Sequence, residues 1–384
     1  MTKKDSLHAN SVVVYWHDDI LAHNTGSGVF EDVPSPLLAF QEPHPENPTR
    51  ILNIKSVLEK GPVSEHLLWK VGRHATESEL LLFHTKTHLE NVRSGDLSGP
   101  VRLDGAGTVV GPGSWNAALA AAGTGVVAMQ DILDQQARIG YVLVRPPGHH
   151  AQPDLADGSC LFNNIGVAVN HALAQGLKRI AVIDWDQHHG NGTQEGFYDD
   201  DRVLTISLHM PHGSWGTNHP QSGAIEEVGR GHGTGCNMNI PLPYGAGDAA
   251  YSDAFRQVVI PVIDDFEPEL IVIACGFDSN QFDPNGRSLV TMSGFNRLCQ
   301  QSRALAEKHC DGRLLLFQEG GYAVTYTAFC AHAAMEGCLG RGSTLKDPAA
   351  YYDQPAPGDT RSPRDILDMW RQEVARSRKK YCGN

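Results

Sequence analysis

The segment Asp184-Trp185-Asp186-Gln187-His188-His189-Gly190-Asn191-Gly192 follows directly on the apolar run Ile180-Ala181-Val182-Ile183. A run rich in Val and Ile reads as a buried strand, so carboxylates and imidazoles gather where that strand leaves the core. In extended chain, residues two apart share a side. Asp186 and His188 therefore present an oxygen and a nitrogen donor together, a mixture that zinc accepts. A catalytic zinc takes three protein ligands and keeps a position open for water; Asp278, at the end of another apolar strand, would supply the third ligand.

Hydrolysis at such a centre needs a base for the water's proton, and the adjacent imidazoles of His149 and His150 offer two. Their second nitrogens need acceptors, for which Asp184 and Asn191 are the candidates, one charged and one neutral. A carboxylate keeps its histidine cationic and an amide does not, which would separate the two roles. Tyr322, after a pair of glycines, could donate to an oxyanion. Each has a plainer reading: a His-His loop feature, a helix N-cap for Asp278, a packed aromatic for Tyr322. Their joint arrival at one edge of one sheet favours the chemical reading.

That edge follows from the elements. Short β-branched runs near 12–15, 140–144, 179–184, 203–208, 270–275 and 313–317 alternate with helical patterns near 115–136, 163–175, 249–265 and 293–309. Such alternation predicts an α/β fold with a mostly parallel central sheet flanked by helices on both faces. Sites in such sheets form outside the carboxyl ends of the strands. The Ala-rich segment 115–136 is the clearest helix, interrupted only by Gly123 and Gly125. Two long loops, 16–49 and 209–235, are rich in His and Gly, as functional loops are.

The composition suits a single catalytic domain over 1–384, with a core of about 12–340 followed by a linker and C-terminal helix over 341–384. A net charge of −13 argues against nucleic-acid and acidic-membrane partners, which require clustered Lys and Arg; the basic stretch 376–380 reads as a solvated helix end. Eight cysteines without CxxC spacing read as reduced thiols of a cytoplasmic protein, and no stretch is apolar enough to span a bilayer.

These residues resemble the zinc-dependent histone deacetylases, specifically the class II type and the bacterial histone deacetylase-like amidohydrolases. The resemblance runs from about 12 to about 340, through His44-Pro45-Glu46-Asn47-Pro48-Thr49-Arg50, Phe83-His84-Thr85, Arg145-Pro146-Pro147-Gly148-His149-His150, the segment 184–192, Gly276-Phe277-Asp278 and Glu319-Gly320-Gly321-Tyr322. It implies the arginase/deacetylase fold, zinc on Asp186, His188 and Asp278, and catalytic His149, His150 and Tyr322. It also implies a structural potassium using Asp184, Asp186, His188, Ser207 and Leu208. Asn191, where class I members carry Asp, is the class II choice. The related arginases bind two manganese ions through further carboxylates, but positions 190 and 280 are Gly and Asn here, so one metal is expected.

The departures lie in the substrate pocket. Acetyl-lysine deacetylases resemble one another in a Gly-Phe-Cys segment whose Phe walls a narrow tunnel; here it reads Gly158-Ser159-Cys160. The opposite wall follows Ser207-Leu208-His209 in an altered stretch where Trp215 or His219 would stand in. A third position, Leu in lysine deacetylases and Glu in acetylpolyamine deacetylases, is Asn285. Losing an aromatic wall removes the surface that grips a linear alkyl chain. The expectation is an intact amide hydrolase whose substrate is a bulkier or more polar acylated amine than acetyl-lysine. The alternatives are an acetylpolyamine deacetylase, with Glu226 or Asp18 as the acidic gatekeeper, a small-molecule amidase, or a non-enzymatic acyl-ligand binding protein. Homo-oligomers are a further expectation, with loops 16–49 and 341–384 supplying contacts.

Overall fold

The computed structural model describes residues 10–26, 28, 37–103, 107–211, 221–349 and 362–382. Eight strands form one parallel sheet: β1 (Val12–Trp16), β2 (Leu67–Val71), β5 (Ile139–Val142), β6 (Ile180–Asp184), β7 (Val203–His209), β8 (Asn237–Pro241), β9 (Leu270–Cys275) and β10 (Leu314–Gln318). A small antiparallel pair, β3 (Val101–Arg102) and β4 (Val109–Val110), stands apart. The order in the large sheet is β2-β1-β5-β10-β9-β6-β7-β8.

The central strands β6, β9 and β10 are buried along their whole length, as expected of apolar runs covered by helices on both faces. The helix Ser114–Leu133 packs on the sheet at very short range. A Cβ at Gly123 would stand 2.2 Å from the Arg73 carbonyl oxygen, and one at Gly125 would stand 2.6 Å from the Phe317 ring. The two glycines that interrupt the alanine run are therefore what lets the helix approach.

β6 continues outward to β7, whereas β9 continues in the opposite direction to β10. The carboxyl ends of β6 and β9 consequently flank a crevice at a topological switch point, where this architecture places its sites. That crevice receives residues 184–191 from β6 and 276–278 from β9.

Two strands of the large sheet, the small pair β3 and β4, and several helices were not expected from the sequence. β2 lies at the sheet edge with only Leu67 buried, and β8 interleaves Asn237 and Asn239 with Met238 and Ile240 before Pro241, so neither is an apolar run. The helices Pro48–Lys60, Lys86–Ser98 and Val324–Cys338 lie where no helix was predicted. The helical stretch expected near 249–265 is broken by a π turn at Phe255–Val259; the ring of Pro261 crowds the preceding turn and cannot donate to it. The final helix, Pro363–Cys382, is less polar in effect than its composition suggests: Ile366 and Leu367 are buried and the Trp370 indole donates to the Asn237 carbonyl at 2.8 Å.

Candidate active site

Asp186, His188 and Asp278 are buried, and one ligating atom from each lies within 4.8 Å of the other two. His188 Nδ1 is 3.3 Å from Asp186 Oδ1 and 3.0 Å from Asp278 Oδ2. Its Nε2 donates to the Asn285 carbonyl at 3.2 Å, which fixes the ring so that Nδ1 is the nitrogen turned to the two carboxylates. Burial by itself would lower the imidazole's pKa, but Asp278 and Asp186 lift it to about 9. Burial and the Asp186 charge raise Asp278 to about 6, with His188 opposing. Protons thus crowd a cluster of two carboxylates and an imidazole, the donor set that a dication would neutralise.

The two histidines before this centre are paired as their partners' chemistry suggested. His149 Nδ1 donates to Asp184 Oδ2 at 2.8 Å, and His150 Nδ1 donates to Asn191 Oδ1 at 2.6 Å. The rings lie 3.9 Å apart. Burial would depress His149, yet Asp186 and Asp184 hold it well above the ordinary imidazole range. Gly158 is required beside His150: a Cβ there would stand 2.3 Å from the imidazole, and its φ is +52°.

Tyr322 stands half-buried after Gly321, which has a φ of +123°. Burial keeps its hydroxyl well above the ordinary phenol range although Arg50 pulls the other way, so it stays protonated and able to donate. Its backbone N–H donates to Asp283 Oδ2 at 2.6 Å, and that carboxylate also accepts from Ala323 at 3.2 Å and from Asn285 at 2.9 Å. Asp283 therefore fixes both the tyrosine and the carbonyl that orients His188.

Several supporting residues were not singled out from the sequence as parts of the site. Asp157 accepts from Asn191 Nδ2 at 2.8 Å, placing a carboxylate one residue behind the neutral partner of His150. Glu319 Oε2 accepts from the backbone N–H groups of Gly148 and His149 at 2.6 and 3.1 Å. Beneath them Glu46 bridges two buried guanidinium groups, Arg50 at 2.9 Å and Arg145 at 2.7 Å. Arg50 in turn donates to the carbonyls of Gly321 and Glu319, both at 2.7 Å, and lies 4.5 Å over the Tyr322 ring. The signal was present as an i,i+4 acid and base in the segment 44–50, and in an arginine directly before Pro146.

The pocket residues are only partly placed. Ser159 is half-buried in the left-handed region with a φ of +65°, its N–H donating to Thr108. Asn285 Oδ1 is buried with no hydrogen-bond partner among the described residues. Trp215 and His219 lie outside the described residues. Asp18 accepts from the Trp16 indole at 2.7 Å, which commits one of the two proposed acidic gatekeepers. Asp184 and Ser207 face each other in register and line a small cavity of about 10 Å³, room for one water-sized occupant; Leu208 is buried at the next position of β7. Asn239, another lining residue, leaves a buried Oδ1 unpartnered. No helix among the described residues is long and apolar enough to cross a membrane.

Residues 44–338 match the histone deacetylase domain. The chain is 51% identical over 348 residues to histone deacetylase 8 of Arabidopsis thaliana, an alignment covering 90% of this chain and 92% of that one. It is 39% identical to a histone deacetylase-like amidohydrolase of Pseudomonas aeruginosa, covering 79% of each. Among solved structures, the crystal structure of the HDA15 HD domain superposes with a TM-score of 0.79 at 33% identity, covering 98% of this chain and 100% of that one. The parallel eight-stranded sheet is that of the arginase/deacetylase fold, and the chain belongs to the histone deacetylase family, enzymes that hydrolyse acyl-amide bonds.

Proposed function

We propose that this protein is a zinc-dependent amide hydrolase with Asp186, His188 and Asp278 as the metal ligands. The observation that carries the reading is the convergence of those three buried groups, with two further histidines alongside, at the switch point of the sheet. Zinc bound there would acidify a water and polarise the amide carbonyl. His150, oriented by a neutral amide, takes the water's proton and returns it to the leaving amine. His149, held cationic by Asp184, stabilises negative charge beside it. Tyr322 donates its phenolic proton in a hydrogen bond to the carbonyl oxygen as charge develops there. The oxygen-bearing side chains of Asp184, Ser207 and Asn239 that line the small cavity support the expected potassium there, with the Leu208 carbonyl as a further ligand.

We read the substrate as a bulkier or more polar acylated amine than acetyl-lysine. Ser159 supports this, since a small hydroxyl half-buried in the turn against His150 cannot grip an alkyl chain as an aromatic wall does. The whole chain is read as one catalytic domain, supported by burial of Ile366 and Leu367 of the last helix in the common core. The buried free thiols suit a reducing, cytoplasmic setting, and a homo-oligomer remains part of the reading. Turnover of acetyl-lysine, trifluoroacetyl-lysine, acetylpolyamine and aryl-amide substrates tests the assignment. Preferential cleavage of trifluoroacetyl-lysine or an aryl amide is expected; efficient cleavage of acetyl-lysine with the others poor would overturn the pocket reading.

A further inference from the structure

A second group of ligating side chains stands at the other end of the same sheet edge. His17 follows β1, Asp19 comes two residues later, and His74 follows the neighbouring strand β2. One donor atom from each lies within 4.8 Å of the other two. Asp19 Oδ2 is 2.6 Å from His74 Nε2 and 3.9 Å from His17 Nδ1, and the two imidazole rings are 5.1 Å apart. Neighbouring donors on a tetrahedral zinc, with bonds near 2.0–2.1 Å, are about 3.3 Å apart. One of the observed separations exceeds that value and the other falls short, each by roughly 0.6–0.7 Å on the same geometry. Small side-chain rotations close the difference.

The backbone that carries these donors is fixed. Trp16 and Val71 are in register, and Gly72 N–H donates to the Trp16 carbonyl at 2.8 Å, so the two histidines leave adjacent parallel strands side by side. Arg73, adjacent to His74 in the chain, is already paired with Glu79. Asp18 points to the Trp16 indole, so the cluster draws on Asp19 alone for its carboxylate. His17 Nδ1 accepts the Asp19 N–H at 3.2 Å, the long end of the range, and a metal ion would displace that bond.

We infer that His17, Asp19 and His74 form a second metal site for a borderline dication such as zinc, cobalt or nickel. Two imidazoles and one carboxylate are the ligand types these ions select. β1 stands three strands from β9, so the site lies on the order of 15 Å from Asp278 at the usual strand spacing. Side-chain exposures of 21, 46 and 36% for His17, Asp19 and His74 leave the remaining coordination position to water. A metal here clips the short helix Asp18–Ala22 to the β2 edge. That helix and the residue after it give carbonyls to Arg145, from Ile20 at 3.3 Å and from His23 at 2.9 Å, so the clip adjoins the ion-pair frame of the active site.

The full chain, stripped with a chelator, would be titrated with cobalt(II) by calorimetry and visible absorption. The wild type should bind two equivalents per chain, and both His17→Ala/His74→Ala and Asp19→Asn should bind one. Amide hydrolysis supported by the first equivalent should be unchanged in these variants. The variants should therefore bind one equivalent fewer than the wild type, and equal metal counts in the wild type and the variants would overturn the inference. The metal count is read without any substrate, so it stands or falls separately from the hydrolytic assignment.

Discussion

His150 donates from Nδ1 to Asn191 Oδ1 across 2.6 Å, and the same amide donates onward to Asp157 at 2.8 Å. A neutral group therefore separates this imidazole from the nearest carboxylate on that side, while its neighbour His149 meets Asp184 directly at 2.8 Å. Two adjacent histidines thus receive different electrostatic settings from one segment of chain.

The pH profile should report that difference. In the double variant Asn191→Asp/Asp157→Asn the carboxylate sits directly on His150 and no second acid repels it. A contacting carboxylate favours the imidazolium by about one pH unit or more, so the acidic limb of the kcat/KM profile should move upward by that amount. An unmoved limb would mean that His150 is not the base.

Metal affinity should rise with pH. In the metal-free cluster His188 is held near 9 by Asp278 and Asp186 against burial, and Asp278 is raised to about 6 by burial and Asp186. Metal binding must release the His188 proton at any pH below 9, so apparent affinity should climb about tenfold per pH unit between 6.5 and 8.5. Below about 6 the Asp278 proton adds to the competition and the slope should steepen toward about two. Competition with a chromophoric chelator measures both slopes.

Much of this site was legible in the sequence, and the reason is local. Asp184, Asp186, His188 and Asn191 fall within one short segment at a strand end, where alternation fixes which side chains share a face. The two histidines, Asp278 and Tyr322 each follow another central strand, so parallel topology alone brings them together. Asp157, Glu319 and Asp283 were given no role in the site because each acts through hydrogen bonds to groups distant in sequence, such as Asp283 to Tyr322. β2 and β8 escaped because edge positions free a strand from the apolar pattern, as Lys70 and Asn239 illustrate.

The ion-pair frame should be costly to break. Glu46 is fully buried between Arg50 and Arg145, and removing one partner of such a group leaves an uncompensated charge worth about 3–5 kcal/mol. Urea denaturation of Glu46→Gln should show a loss of that size. A loss below about 1 kcal/mol, the range of exposed pairs, would mean that the arginines find other partners.

Pocket width should respond to residue 159. Ser159→Phe restores an aromatic wall and should raise the preference for acetyl-lysine over bulkier acyl groups, since one aromatic contact is worth about 0.5–1.5 kcal/mol. Ser159 already carries a Cβ at this positive φ, so the variant adds only the strain of a bulkier side chain to a left-handed cost that the wild type also bears. The ratio of kcat/KM values for the two substrates isolates the first effect from the second. An unchanged ratio would remove Ser159 from the specificity argument.

The central claim, hydrolysis dependent on a metal at Asp186, His188 and Asp278, is tested most directly by restoring activity to the stripped protein. Amide cleavage should be absent after chelation, return in proportion to the first equivalent of zinc, and fail to return in Asp186→Asn/Asp278→Asn. Cleavage that survives chelation, or that zinc restores in the double variant, would contradict it.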